Sequence, residues 1–277
     1  MDSFAIISNG NKQKYLYDYL IFHNYSAKLV TNFNLTEYKY IVASIPFSKD
    51  GENVNCDFYT SFPITTFISL LKPGQILFGG GFKGSVVSHC MNSGIKAIDI
   101  LNIPDFYRNN AFYTAEGLLG YIISNTNFSL KASNILVLGY GKCGSEICNL
   151  FNNVGSNIFF YENNESKIND GLNKNFTFLD INKKNNNLSK IDIIINCIPK
   201  NILSISNLKT LQKSCTIFDI ASSPYGFDKD ILNSLSLTYH ICPGLPGKYA
   251  SKSSGELIAK NISSIIEGTA ENESQFR

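Results

Sequence analysis

The stretch Val137-Leu138-Gly139-Tyr140-Gly141-Lys142-Cys143-Gly144 decides the fold of this chain. It is a G-x-G-x-x-G pattern that directly follows an apolar run and opens a segment with helical spacing. The first glycine allows a tight turn, the second lets the backbone approach a pyrophosphate at a helix N-terminus, and the third lets helix and strand pack closely. The stretch predicts dinucleotide binding, with a glycine-rich turn in a fold without ligand as the alternative. The candidate cofactor-binding residues are Gly139, Gly141, Lys142, Cys143 and Gly144.

Outward from this stretch, short apolar runs alternate with longer segments of helical spacing, which is typical of βαβ units and parallel sheets. The predicted strands are 4–7, 27–30, 40–44, 75–78 and 95–99 before the glycines, and 134–138, 157–161, 176–179, 191–196, 216–220 and 237–241 around and after them. The predicted fold class is α/β with two domains. A C-terminal doubly wound Rossmann domain is joined by an interdomain helix to a smaller N-terminal flavodoxin-like α/β domain.

The length of 277 residues suits two domains at roughly 150 residues each, or one large α/β unit, and the strand series favours two domains. Thr114 is a plausible N-cap for the interdomain helix. The asparagine-rich segment 182–187 predicts a polar surface loop, and Gly268 predicts the start of a frayed tail. The predicted domains are 1–112 as the N-terminal α/β domain on the substrate side, 113–126 as the interdomain helix, 127–250 as the Rossmann domain, and 251–277 as a C-terminal helix returning toward the N-terminal domain with a polar tail.

Composition excludes several functional classes. The 24 Lys and Arg residues balance 22 Asp and Glu residues to a net charge of +2, so no basic field favours nucleic acid as a partner. No apolar run approaches the roughly 18 residues of a membrane helix, and the N-terminus lacks a signal peptide, so we expect a cytoplasmic protein. Seven scattered cysteines without C-x-x-C and three separated histidines predict neither a disulfide framework nor a metal site.

Further candidate residues lie where predicted strands end. Glu162 ends the second Rossmann strand, where an acidic side chain can bind the adenosine ribose and favours NAD over NADP; a solvated strand-end glutamate is the alternative. The segments 196–199, 221–224 and 243–247 follow later strands and would wall the nicotinamide end. Taken alone, each of these segments could be ordinary turn chemistry.

Two lysines and a few titratable groups are candidates for substrate chemistry. Lys248 and Lys252 lie beside a predicted helix start whose backbone donors favour anions, which suits a carboxylate-bearing substrate; ordinary surface lysines are the alternative. Glu116 is the better acid-base candidate, because Asp219 sits inside a strand and suits a structural role. Among the histidines only His240 is positioned for acid-base work, and a core or rim histidine is the alternative.

In their order along the chain, these segments resemble the A subunits of dipicolinate synthases, the family that makes pyridine-2,6-dicarboxylate in spore-forming bacteria. The resemblance covers essentially the whole chain and rests on residues 113–117, 137–144, 195–199, 219–224, and 243–247 leading into 252–255. It implies an NAD- or NADP-dependent oxidation of dihydrodipicolinate, or of its hydrated tetrahydro precursor, to dipicolinate. It also implies a flavoprotein-like B subunit as partner and a place in the mother cell during sporulation. Homo-oligomerisation stays open.

The reaction that the resemblance implies leads to hypothetical roles for individual residues. Pro199 and Ser222 would lie beside the nicotinamide ribose, and Glu116 would accept the proton. The substrate carboxylates would meet Lys252, which would be catalytic, together with Thr114, Lys248 and Ser253.

Two departures from the family pattern bear on these roles. The family's Arg-Ser pair after the second Rossmann strand is replaced by Glu162-Asn163-Asn164, which questions NADP as the cofactor. Its Pro-Gly-Gly after the fifth strand reads Pro224-Tyr225-Gly226, so the contacts of that loop with cofactor or substrate can differ.

Two other functions are compatible with the sequence. A non-catalytic nucleotide-binding scaffold protein fits the weak inventory of acid-base groups. An oxidoreductase similar to 2-hydroxy-acid dehydrogenases fits the two-domain layout, but that chemistry needs a histidine paired with a carboxylate and an arginine clamp. The sequence does not assemble such a set.

Overall fold

A computed structural model describes residues 3–181 and 188–274, so the predicted surface loop at 182–187 lies outside the described residues. The chain forms two compact units. Unit 1 comprises the described residues of Met1–Asn110 and Ala250–Arg277, and unit 2 comprises those of Ala111–Tyr249. Each unit is built around its own parallel sheet.

Unit 1 contains a five-stranded sheet in the order β2-β1-β3-β4-β5. Its elements are β1 (Ser3–Ile7), α1 (Asn11–Phe22), β2 (Ser26–Val30), β3 (Tyr40–Val42), α2 (Ile64–Ser69), β4 (Ile76–Gly79), α3 (Gly84–Asn92) and β5 (Lys96–Asp99). All four strand pairings are parallel. This is the order of flavodoxin-like sheets, which reverses direction between β1 and β3 and leaves a crevice at the carboxyl ends of those strands.

Unit 2 contains a six-stranded parallel sheet in the order β11-β10-β9-β6-β7-β8. Its strands are β6 (Asn134–Leu138), β7 (Asn157–Tyr161), β8 (Thr177–Phe178), β9 (Ile193–Asn196), β10 (Thr216–Asp219) and β11 (Thr238–Ile241). Its helices are α5 (Lys142–Asn153), α6 (Glu165–Asn173), α7 (Ile205–Lys209), α8 (Lys229–Ser234) and α9 (Leu245–Tyr249). Counted within the unit, this is the Rossmann order 3-2-1-4-5-6, with the reversal between β6 and β9.

The central strands of unit 2 are fully buried because helices cover both faces of the sheet. Residues 135–138 of β6 and 193–196 of β9 are all buried. Such strands appear in the sequence as continuous apolar runs, which is why they could be predicted. The α/β fold class predicted from the sequence is confirmed by the two parallel sheets.

Two long helices differ from the sequence prediction. Helix α4 (Pro104–Asn125) begins at Pro104 rather than near Thr114, so Thr114 is an interior residue and not an N-cap. Proline is favoured at a first helical position because its missing N–H needs no partner there. Helix α10 (Ser251–Ser274) continues past Gly268, where a tail was predicted, because no proline or capping motif ends it.

Helix α10 packs closely against α1 within unit 1. A Cβ atom on Gly255 would lie 2.8 Å from the Cβ of Tyr15 and 2.9 Å from the backbone nitrogen of Leu16. Only a glycine permits this approach. None of the helices in the two described ranges has the length and apolar character needed to cross a membrane.

Candidate functional site

The glycine-rich loop between β6 and α5 depends on two of its glycines for its shape. Gly139 has a φ of +94°, and a Cβ there would lie 2.8 Å from Cγ1 of Ile198. A Cβ on Gly144 would lie 2.9 Å from the carbonyl carbon of Gly139 and would overlap its oxygen. The first turn of α5 therefore rests directly on the loop backbone, which is the packing predicted for the third glycine.

Gly141 differs because it faces open space. Apart from its neighbours along the chain, no described residue has an atom within 4 Å of the position of a Cβ on Gly141. Gly141 is also the N-cap of α5, and no side chain caps that helix. A helix N-terminus with open space in front of it suits a pyrophosphate, so the loop fits a dinucleotide.

Glu162, just after β7, is tied to the glycine-rich loop. Its Oε2 accepts a hydrogen bond from the backbone nitrogen of Tyr140 at 3.1 Å, and its Oε1 accepts from the backbone nitrogens of Asn163 and Asn164. Lys167 Nζ lies 3.6 Å from Oε2. Burial raises the pKa of Glu162, but these donors and Lys167 outweigh it and hold the pKa below its usual value. Glu162 is therefore an ordered anion at the glycine-rich loop.

Thr114 reaches the same loop from helix α4. Its side chain is buried, and its hydroxyl hydrogen-bonds the thiol of Cys143 in the first turn of α5. Burial raises the pKa of that thiol, which keeps it protonated. The structure therefore brings Thr114 and Cys143 together, while Lys142 is exposed beside them.

A buried carboxylate at the carboxyl end of β10 joins that strand to β9, to β11 and to the loop after β10. Asp219 is fully buried, and its Oδ1 accepts hydrogen bonds from Asn196 Nδ2 at 3.0 Å and from the backbone nitrogen of Ala221. Its Oδ2 accepts from Tyr239 Oη at 2.9 Å and from the backbone nitrogen of Gly226 at 2.8 Å. These four hydrogen bonds hold the loop that carries Ser222. They indicate a structural role for Asp219, as the sequence predicts.

Neighbouring residues show how tightly this loop is held. A Cβ on Gly226 would collide with the side-chain amide of Asn196. Tyr225 has a φ of +69°, the left-handed conformation that glycine adopts without strain. The Tyr that replaces the family's glycine thus keeps a glycine-like backbone. Asn196 and Tyr239 are not predicted as members of this network. Nothing in the sequence indicates that Asn196, at the end of β9, and Tyr239, within β11, both bond Asp219 on the strand between them.

Asp219→Ala should destabilise the protein by about 3 to 5 kcal/mol, because it leaves four donors without their buried acceptor. Urea denaturation followed by circular dichroism measures this loss. The matched control is Asp230→Ala, at an exposed position of α8, where we expect a change within about 0.5 kcal/mol. Equal stability of the two variants would contradict the structural role of Asp219.

His240, on β11, is held within an aromatic cluster rather than facing solvent as a free base. Its ring stacks on Phe218 at 5.0 Å between centroids, and its Nδ1 lies 3.3 Å from Tyr121 Oη. Burial lowers the pKa of His240. The alternative of a core or rim histidine describes it better than an acid-base role.

The remaining candidate residues fall into two groups. Pro199 and Ser222 are exposed at the carboxyl ends of β9 and β10, and Glu116 on α4 and Lys248 on α9 are exposed in unit 2 as well. Lys252 and Ser253 belong to unit 1, in the first turn of α10. Lys252 Nζ lies 4.0 Å from Glu256 on the next turn. The candidate cofactor-binding residues thus all belong to unit 2, and the roles of all these residues stay predictions.

The fold defines the class of proteins to which this chain is similar. No family model matches the chain. The chain has the two-unit α/β fold of Rossmann-type dehydrogenases: it superposes on the D-lactate dehydrogenase of Escherichia coli with a TM-score of 0.65 at 12% identity, covering 97% of this chain and 98% of the other. This fold binds nicotinamide cofactors in such enzymes.

Within that class, the chain is similar to the A subunit of dipicolinate synthase. It is 25% identical over 191 residues to this protein of Bacillus subtilis (strain 168), which covers 69% of this chain and 64% of the relative. The matched region thus spans slightly less than two thirds of the relative's length. The crystal structure of the A chain of dipicolinate synthase from Bacillus subtilis superposes with a TM-score of 0.83 at 20% identity, covering 98% and 97% of the two chains. The resemblance seen in the sequence is confirmed.

Proposed function

We propose that this chain is the A subunit of a dipicolinate synthase and oxidises dihydrodipicolinate, or hydroxytetrahydrodipicolinate, to dipicolinate with NAD or NADP during sporulation. The observation that carries the proposal is the open space beside Gly141 at the N-terminus of α5, together with the similarity of this chain to a dipicolinate synthase A subunit. The name of the relative implies a further component, so we propose a flavoprotein-like B subunit as partner. The mother cell of a sporulating bacterium is the proposed location.

The proposed reaction from dihydrodipicolinate removes a hydride from one ring carbon and a proton from another ring atom, and the ring becomes aromatic. When bound, the nicotinamide ring supplies the acceptor for the hydride and its two electrons. The proton requires a separate acceptor, and we assign it to Glu116, whose carboxylate is exposed. Because aromatisation supplies driving force, alignment of the ring matters more than base strength.

The residues of the chain would hold the reactants. The backbone donors at Gly141 would bind the pyrophosphate, Glu162 the adenosine ribose, and Pro199 and Ser222 the region of the nicotinamide ribose. Lys248, Lys252 and Ser253 would meet the substrate carboxylates. Thr114 would act at the site through its hydrogen bond to Cys143, because its hydroxyl is already engaged there.

The test uses the purified chain with freshly generated dihydrodipicolinate and either NAD or NADP, first alone and then with the B subunit. We expect the ultraviolet absorbance of dipicolinate and that of the reduced nicotinamide to rise in equal amounts. Cofactor binding without dipicolinate formation in any combination would contradict the proposal and favour the scaffold. Turnover of simple 2-hydroxy acids would favour the dehydrogenase alternative, against which the position of His240 among aromatic rings argues.

The ordered anion Glu162 leads to a prediction about cofactor preference. We expect the chain to bind NADH more tightly than NADPH, because the Glu162 carboxylate repels a 2′-phosphate. Glu162→Gln keeps an acceptor oxygen but removes the charge, so the ratio of the two dissociation constants should fall by roughly tenfold. Nicotinamide fluorescence titrations measure both constants.

Glu165→Gln is the matched control for this prediction. Glu165 is an exposed carboxylate in the first turn of α6, and Glu162 precedes that helix. Its neutralisation should leave the ratio unchanged. If the ratio of the dissociation constants for NADH and NADPH is the same in Glu162→Gln as in the wild type, Glu162 does not select the cofactor.

A further inference from the structure

A polar cluster occupies the carboxyl edge of the sheet in unit 1, at the reversal between β1 and β3. Its members come from the loops after these two strands and from the first turn of α1. We call it the Lys12 cluster; it consists of Asn9, Lys12, Gln13, Ser44 and Asn55. Ligands of open α/β sheets bind at such reversal points.

Lys12 is a partly buried cation without a carboxylate partner among the residues that the structure describes. Its Nζ donates to the backbone oxygen of Ile45 at 2.9 Å. An ammonium group has three donors, so this bond leaves capacity for a ligand. Burial lowers the pKa of Lys12 to about 8, which still leaves the ammonium mostly charged at neutral pH.

Gln13 has a side-chain polar atom without a partner within the described part of the chain. The residue is only 2% exposed, its Nε2 lies 3.5 Å from Ser44 Oγ, and its Oε1 is buried and unpaired. Exchanging the oxygen and nitrogen of the amide changes which atom is unpaired but still leaves one. The contact with Ser44 directs the amide to the Lys12 cluster. Because buried polar atoms are rarely left unpaired, this atom points to a ligand.

The start of α1 adds a third feature. Its N-cap is Gly10, and no side chain caps the helix, so the positive end of the helix dipole faces the same edge as Lys12. The backbone nitrogen of Gly10 is already bonded to Asp57 Oδ2 at 3.2 Å, and Ser8 Oγ bonds the same oxygen. The Asp57 carboxylate disfavours a doubly charged phosphate here. A singly charged carboxylate with an adjacent hydrogen-bonding group suits Lys12 and Gln13 together.

We propose that the Lys12 cluster binds one carboxylate of a small organic acid, which pairs with Lys12. The Gln13 amide oxygen would accept a hydrogen bond from a neighbouring hydroxyl, or, with the amide turned over, its nitrogen would donate to a ring nitrogen. Resting on the proposed function, we identify the acid as the pyridine dicarboxylate product or its dihydro precursor. This assigns to the carboxyl edge of the unit 1 sheet a carboxylate-binding role separate from the one proposed for Lys248 and Lys252.

The test is isothermal titration calorimetry of the full chain with dipicolinate. The variants are Lys12→Met, Lys12→Arg and the matched control Lys14→Met, an exposed lysine on the same helix. We expect Lys12→Met to weaken binding roughly tenfold or more, Lys12→Arg to restore much of it, and Lys14→Met to leave it unchanged. A urea-denaturation midpoint of Lys12→Met equal to that of the wild type would show that the variant is folded.

The outcomes separate this site from the proposed function. Equal dipicolinate affinity of wild type and Lys12→Met would overturn the site and leave the proposed function standing. If the wild type does not bind dipicolinate but binds pyruvate or lactate, and Lys12→Met abolishes that binding, the site stands and the proposed substrate falls. Absence of binding to all three acids would overturn the site.

Discussion

Gly144→Ala should prevent unit 2 from folding around its glycine-rich loop. The added methyl group would overlap the carbonyl oxygen of Gly139, which is backbone and cannot turn away as a side chain can. Gly139 itself is confined by its φ of +94° and by Ile198. Relief therefore requires α5 to separate from β6, and we expect a loss of at least about 4 kcal/mol or an insoluble product.

Urea denaturation and the yield of soluble protein measure this effect. Gly247→Ala is the control, because Gly247 lies in helix α9 of the same unit and its Cβ position has no described atom within 4 Å other than its chain neighbours and the backbone of α9. That variant should unfold within about 1 kcal/mol of the wild type. A Gly144→Ala protein as stable as the control would show that α5 does not rest on the loop backbone.

Gly141→Val, unlike Gly144→Ala, should leave the chain folded and remove its ability to bind the cofactor. A valine side chain fits the extended backbone of Gly141, where φ is −84° and ψ is −161°, and meets no described atom at its Cβ. The same side chain fills the space in front of α5 that a pyrophosphate would need. We expect the affinity for NADH and NADPH to fall by roughly 100-fold or more, measured by calorimetry.

Gly84→Val is the matched control for this substitution. Gly84 begins helix α3 in unit 1 and also has open space around its Cβ position. The same bulk added at this other helix start should leave cofactor binding unchanged. Retained NADH and NADPH affinity in Gly141→Val would rule out the glycine-rich loop as the cofactor site.

The sequence predicted the strands of both units because parallel strands buried on both faces read as short apolar runs. It misplaced the start of α4 because Pro104 opens the helix with a polar stretch, including Arg108, Asn109 and Asn110, that lacks a clear apolar face. It ended α10 too early because Gly268 resembled a stop signal. Local patterns thus located the elements better than their ends.

The candidate site was predictable where its residues are close in sequence. The glycine spacing identified the loop, because all of its geometry lies within Gly139 to Gly144. The network around Asp219 was only partly visible, because Asn196 and Tyr239 meet it through the pairing of three strands. The sequence does not single out Lys12 and Gln13, because their contacts with Ile45 and Ser44 come from the loop after β3.

The packing of α10 on α1 has a consequence for the order of synthesis. Residues 3–110 leave the ribosome first, yet unit 1 also needs α10, which follows the whole of unit 2 in the chain. Until Gly255 and its neighbours emerge, the face of α1 that includes Tyr15 and Leu16 stays uncovered. Unit 2 is continuous in sequence and can complete its core during translation, whereas unit 1 closes last. Chains that stop short of α10 would therefore present an exposed α1 face to chaperones and proteases.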